Sequence, residues 1–297
     1  MTRITLWVAA VWLSSLAAAG QAAEAEPTAA QVIDKNVAAR GGLEAWRKVQ
    51  TMAWIGHVES GNLAGSRMPF VLEMKRPDKT RFEIRAQSQK FVRMYDGAHG
   101  WKLRPTRSGT PDLEPFSADE TAFARDGQSL DGPLVDYQAK GVHVELEGMD
   151  EVDGRKAYRL RVGLPSGATH HVWIDAHTYL DVKSDREAHN AFGMKGTVWM
   201  RYRDYRTVNG LQIPFLIESG ATAGKTTDKM VIETAFVNPP LKDWMFGRPS
   251  VPGRRRTVAV AAEASVVAPG PAWQGKPTMR ERPSSSQAFQ SSAGHAQ

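Results

Sequence analysis

The sequence predicts a mainly β chain, an open or closed antiparallel barrel with a few short helices laid against it. Three observations carry that reading. Segment after segment alternates apolar and polar residues with period two, the connections between segments are too short for the crossovers that parallel strands need, and helical signals are few and brief. The stretch "MPFVLEMKRPDKTRFEIRA", residues 68–86, shows the pattern. Met68, Phe70, Leu72 and Met74, then Phe82, Ile84 and Ala86 after a turn, share one face, while Glu73, Lys75, Lys79, Arg81, Glu83 and Arg85 share the other.

The elements follow in order. Thr28 and Gln31 form a capping-box signature ahead of the stripe Val32, Ile33, Val37 and Ala38, and Gly41-Gly42 stop that helix. Leu43, Trp46 and Val49 lie on one side of a second short turn ending at 49. Strands are expected near 52–60, 67–76, 79–86, 89–95 and 98–103, broken by Ser60-Gly61-Asn62, Arg76-Pro77-Asp78 and Asp96-Gly97. Residues 104–116 read as a loop interrupted by Pro and Gly. Ser117 and Glu120 form another capping box that opens a helix to about 125, and Pro133 with Gly141 brackets a further helix over 133–140. Strands resume near 142–152, 155–164, 168–175, 179–188, 196–208, 212–219 and 228–237, with Asp153-Gly154 and Asn209-Gly210 as hairpin turns. A sheet of that size curves around something, and the helices near 28–49 and 117–140 are short enough to cover the concavity without filling it.

Composition narrows the setting. At 41% hydrophobic and 24% charged the chain has material for a core, and with no cysteine it must hold that core by packing alone. Residues 1–23 read as a cleavable export signal: Arg3, an apolar run from Ile4 to Leu16 too short for a comfortable membrane span, then small residues. Absence of cysteine also excludes an acylated N-terminus, so the expected location is the periplasm. The net charge of +6 sits at the ends, because after Phe246 seven cations face two acids and Arg3 lies in the signal. The body, residues 24–249, is therefore close to neutral, which argues against a nucleic-acid partner. Residues 250–297 are rich in Pro, Gly, Ser, Gln and Ala and are expected to be a disordered tail.

Four stretches in this order resemble a known family: "GGLEAWRKVQTMAWIGHVE", "MKRPDKTRFE", "YDGAHGWKL" and "ETAFVNPPLKDWMFGRP". They are similar to the periplasmic carriers of the LolA/LolB type, and more closely to the outer-membrane lipoprotein-sorting proteins, over most of residues 28–249. The resemblance implies an incomplete antiparallel β-barrel with a short-helix lid, whose concavity takes lipoprotein acyl chains or another lipid across the periplasm. It also implies cargo handed on by membrane-anchored donor and acceptor proteins, with no cofactor. Lys75-Arg76-Pro77 matches the family's strand-ending Lys-Arg-Pro, whose arginine hydrogen-bonds the lid backbone, so Arg76 is the implied lid latch. The local register independently points Arg76 inward; its alternative is a strand-end arginine paired with an acid such as Asp78. The tail after Pro249 departs from the family, and a relative with this fold is a stress sensor that binds a membrane-anchored partner, so the alternative role is an envelope stress-sensing or protein-interaction module.

The residues expected to line the concavity and touch ligand are Trp54, Phe70, Leu72, Met74, Phe82, Ile84, Trp101, Leu160, Phe215 and Ile217. Any one of them can equally be ordinary core, since apolar stripes usually are; the claim rests on a wide sheet with few covering helices. Methionines such as Met52, Met68, Met94, Met200 and Met230 would let the wall adapt. Metal and catalytic readings are weaker. Adjacent strand residues His170 and His171 point to opposite faces, so with Asp175, His177 and His189 they make no shared metal site. There is no G-x-S-x-G, and the loops "SGNLAGS" and "SGATAGK" lack phosphate-loop spacing. Asp131, Asp136, Glu145 and Glu147 can be paired on paper as in any soluble protein. The expectation is a monomeric, non-enzymatic carrier.

Overall fold

The computed structural model describes residues 26–250 apart from 62–64, 87–88, 107–110, 128–129, 190–194 and 223–226. The expected export signal, nearly all of the expected tail, and parts of the two glycine-bearing loops lie outside the described residues. Helices α1 (Ala29–Ala39) and α2 (Leu43–Arg47) lead into strands β1 (Thr51–Ser60), β2 (Arg67–Lys75), β3 (Lys79–Ala86), β4 (Gln89–Tyr95), β5 (Gly100–Arg104) and β6 (Asp112–Pro115). Helix α3 (Ala118–Gly127) and a run of turns over 130–141 follow. The chain then continues through β7 (His143–Val152), β8 (Arg155–Gly163), β9 (Thr169–Asp175), β10 (Asp181–His189), β11 (Lys195–Val208), β12 (Leu211–Ala221) and β13 (Thr227–Val237). A single 3-10 turn, Asp243–Met245, ends it.

All thirteen strands form one antiparallel sheet in the order β6-β5-β4-β3-β2-β1-β13-β12-β11-β10-β9-β8-β7. The sheet is unclosed, with β6 and β7 as its edges. These edges are consecutive in sequence, so the segment between them, residues 116–142, must travel from one edge of the sheet to the other. That single topological fact lays α3 and the turns across the open side.

Local chemistry explains most of the boundaries. The capping box at α1 is complete: Thr28 Oγ1 accepts from Gln31 N, and Gln31 Oε1 accepts from Thr28 N. At α3 Ser117 and Glu120 make the same reciprocal pair. Asp153-Gly154 and Asn209-Gly210 all have positive φ, as two-residue hairpin turns demand. Gly56 sits where β1 shifts register against β13, and a Cβ there would lie 1.9 Å from the Val231 carbonyl oxygen.

Two elements differ from expectation. Within the expected loop, residues 112–115 pair with β5 through Leu113 opposite Leu103, making the edge strand β6. The expected helix over 133–140 is a run of turns. Leu134 and Val135 are both fully buried yet belong to different core clusters, and Asp136, the next residue, has φ 52°, which breaks a helix directly after them.

The core has two main lobes on the inner face of the sheet. One joins Trp46 and Val49 to Met52, Val58, Phe70, Met74, Phe215, Ile217 and Ile232; the other joins Val32 and Ile33 of α1 to Leu160, Val162, Val172 and Ile174. Adjacent Leu134 and Val135 bind the lobes together, one side chain in each.

Candidate functional site

The inner face follows from the pairing. Trp54 lies opposite Leu72, Leu72 opposite Phe82, and Phe70 opposite Ile84, while Ile217 faces Met230 across β12 and β13. Cross-strand partners share a face, so these side chains form one continuous apolar wall. Phe70, Met74, Phe215 and Ile217 are buried within it. Trp54, Leu72, Phe82 and Ile84 are only partly buried, although they lie on the same inner face and pack against the same cluster. Phe70 and Phe82 stand 5.9 Å apart, centroid to centroid. Buried Trp54 Nε1 and Ser219 Oγ, both on the inner face, have no hydrogen-bond partner among the described residues.

The remaining two expected wall residues lie elsewhere. Leu160 is fully buried in the second lobe, against α1, and is plain core. Trp101 is on the opposite face: it pairs with Met94, which pairs with Arg81, which pairs with Glu73. In β5 the usual parity is reversed. Its inner positions are Gly100 and Lys102, because what meets that strand from inside is α3 and not an apolar partner.

Three polar knots fasten the cover, two to the sheet and one between its own segments. Arg76, at the end of β2, donates from Nε to the Val49 carbonyl (2.7 Å) and from a terminal nitrogen to the Trp46 carbonyl (3.2 Å) and to Asp131 (2.6 Å). It thus holds the exit of α2 and the start of the turn run together; its expected alternative partner, Asp78, is not the acid it grips. Asp131 is almost wholly buried and also receives Lys140 Nζ at 2.6 Å. Burial pushes the Asp131 carboxyl up, but Lys140 and Arg76 outweigh it and leave its pKa lowered. Arg47 closes the second knot by a two-point contact with Asp136 (2.9 and 2.7 Å).

The third knot holds α3. Glu120, 1% exposed, is gripped by Arg93 at 3.0 Å and Lys102 at 2.8 Å, both on the inner face near the β6 edge. Here too burial raises the carboxyl and the cations with the Ser117 amide more than reverse that, so its pKa is lowered. One turn further on, Phe123 stacks under the Arg186 guanidinium of β10, 3.5 Å from the ring centroid. Helix α3 therefore bridges the two arms of the sheet within a single turn, by ion pairs toward β4 and β5 and by a cation–π contact toward β10. In the sequence Glu120 is marked only as a helix cap, because other elements separate it from Arg93 and Lys102 and leave no local signal.

The polar groups weighed for catalysis are engaged structurally. Glu145 pairs with Arg161 and Glu147 with Arg159. His170 lies on the inner face opposite Arg186, where burial and that neighbour pull its pKa to about 4; His171 faces outward to Asp185 at 2.8 Å. The side chain of His189 lies outside the described ones. Among the described residues no cluster of three or more potential ligands is placed to hold a metal.

No family model and no curated protein sequence matches the chain. Solved structures do. The chain is similar to a LolA superfamily protein from Nitrosomonas europaea, at 14% identity over 74% of this chain and 98% of the other, with a TM-score of 0.49. It is similar also to a putative outer membrane lipoprotein-sorting protein domain from Vibrio parahaemolyticus, at 10% identity over 72% and 94%, with a TM-score of 0.48. The architecture itself rests on the strand order. An unclosed antiparallel sheet with short helices across its mouth is what the sequence resemblance implies, and the chain has it.

Proposed function

We propose that this protein is a non-enzymatic carrier that shields the acyl chains of a lipoprotein, or another lipid, within the inner face of its open sheet. One observation carries the reading: Trp54, Leu72, Phe82 and Ile84 are left partly exposed on an apolar inner wall while the cover above is fastened by polar knots. Val32, Ile33, Trp46, Leu134 and Val135 pack the first two helices and the turn run into the core, whereas among the described residues α3 has no member in either lobe and is held by Glu120 and Phe123. A cover held by hydrogen bonds and ion pairs to the rim can be exchanged, because an entering acyl chain gains about 0.8 kcal/mol per buried methylene and so offsets their loss. Trp54 Nε1 adds support, since a buried N–H without an acceptor suits a carbonyl on the cargo.

On this reading Arg76 is the latch, the wall is formed by Trp54, Phe70, Leu72, Met74, Phe82, Ile84, Phe215 and Ile217, and the helical cover belongs to one domain over residues 24–249. Export by residues 1–23 places the protein in the periplasm for delivery to the outer membrane. The test is native mass spectrometry of protein purified from cells without detergent, with uptake of a fluorescent fatty acid by the emptied protein. Co-isolated lipid or acylated peptide, and saturable uptake weakened by Phe82→Asp, are expected. A uniformly empty protein that takes up no probe overturns the reading.

A further inference from the structure

We propose that the outer face of β2–β4, together with the chain segment that crosses it, docks on an anionic bilayer surface with Trp244 entering the interface. The inference does not depend on what the inner face carries.

After β13 the chain turns back over the outside of the sheet. Thr51 Oγ1 donates to the Pro239 carbonyl at 2.6 Å, and Lys75 Nζ donates to the Leu241 carbonyl at 2.9 Å. Lys75 and Lys79 hold Asp243 at 2.7 and 3.3 Å, and Phe246 is fully buried. Trp244 lies between these anchors and is 79% exposed. The largest apolar side chain in the segment is thus held out into solvent by fixed points on either side. Tryptophan is ordinarily well buried, and it is enriched where one end of the ring is apolar and the other wet, as at a membrane interface.

The surroundings select the partner. Lys75, Lys79, Arg81, Arg85 and Lys90 lie on this outer face, and Lys242 and Arg248 on the crossing segment. The carboxylates among them are Glu73 and Glu83, both buried beneath the cations, and Asp243, already gripped by two lysines. Arg85, Lys242 and Arg248 are exposed. Solvent therefore meets Arg85, Lys90, Lys242 and Arg248 above buried Glu73 and Glu83, and the exposed Asp243 is offset by the two lysines that hold it. A groove of about 410 Å³ beside the tryptophan has Val92, Met94 and Leu103 as its apolar floor and Arg81, Lys90 and Arg248 at its rim. An interfacial aromatic ringed by spread basic charge matches a sheet of anionic headgroups over hydrocarbon. Docking by this face leaves the opposite, concave face and its cover clear.

The experiment is vesicle flotation of the full chain, comparing phosphatidylcholine alone with phosphatidylcholine containing phosphatidylglycerol. We expect binding to the anionic vesicles only, falling steeply with salt. The pair Lys242→Glu with Arg248→Glu should lower partitioning at least about tenfold, and Trp244→Ala should lower it severalfold. Each variant should keep the wild-type circular dichroism spectrum and uptake of the fluorescent fatty acid. A control replaces Arg254, Arg255 and Arg256 by Gln and should retain binding to the anionic vesicles. The proposal is overturned by equal binding to both vesicle types, by no binding to either, or by binding that survives the segment variants and vanishes in the arginine control.

Discussion

Replacing Arg76 by leucine tests the latch directly. The guanidinium makes three hydrogen bonds, to the carbonyls of Val49 and Trp46 and to Asp131, and the last is a contact to a buried carboxylate. Removing one partner of a buried ion pair costs about 3–5 kcal/mol. Two features place this site at the low end: Lys140 still holds Asp131, and the Arg76 side chain is 28% exposed and so partly screened. A loss of about 3 kcal/mol is therefore expected, and it falls on the cover, because every group Arg76 grips belongs to α2's exit or the turn run. In amide exchange read by mass spectrometry, peptides over 43–50 and 130–141 should open on the order of a hundredfold more often. Peptides from β8 should be unaffected, and fatty-acid probe should enter and leave faster. If Arg76→Leu folds normally and exchange in both cover peptides stays within about threefold of wild type, with probe kinetics unchanged, the arginine is no latch.

Other expectations follow from the same geometry. Glu120→Gln should release the β4 and β5 side of α3 and cost about 3–5 kcal/mol, seen as a lower urea midpoint. Because the folded pKa values of Asp131 and Glu120 are depressed, their contribution is fully present above the unfolded carboxylate range near 4 and is lost as pH falls through the folded values. Acid unfolding should accordingly be less steep in Glu120→Gln, measured by circular dichroism against pH. Gly56→Ala should cost about 3 kcal/mol or more, since its Cβ would collide with backbone at Val231; a thermal midpoint near wild type would contradict the register shift there. Phe82→Ala should weaken probe binding with little loss of stability, Phe215→Ala should do the reverse, and Trp101→Ala should leave probe binding intact, all readable by probe titration alongside urea unfolding.

The sequence made the strands legible because a half-buried strand has to alternate, and Asp-Gly and Asn-Gly pin the hairpins. It also made Arg76 legible, since the even-numbered register carries past Met74. What escaped it was set by distant partners. Residues 112–115 form a strand because Leu113 finds Leu103, although four residues ending in proline have no pattern of their own. The misjudged side of Trp101 has the same origin. An apolar residue in a strand is read as inward, but in β5 the inward position belongs to Lys102, which has Glu120 to meet. Pro133 and Gly141 supplied the punctuation of a helix, yet Leu134 and Val135 had to enter separate lobes, and burying both outweighed helix geometry.

The pairing of β1 with β13 has a consequence for how the molecule assembles. Met52 meets Val237, and Glu59 meets Lys229, so the first and last strands join at the middle of the sheet. The two meanders on either side consist of neighbours in the chain and can form early, each closing short loops. The seam between them waits for nearly the whole polypeptide. Until β13 arrives the free margin of β1 has no partner, so this seam carries the longest loop closure in the sheet and is the margin where two unfinished copies would most readily exchange strands.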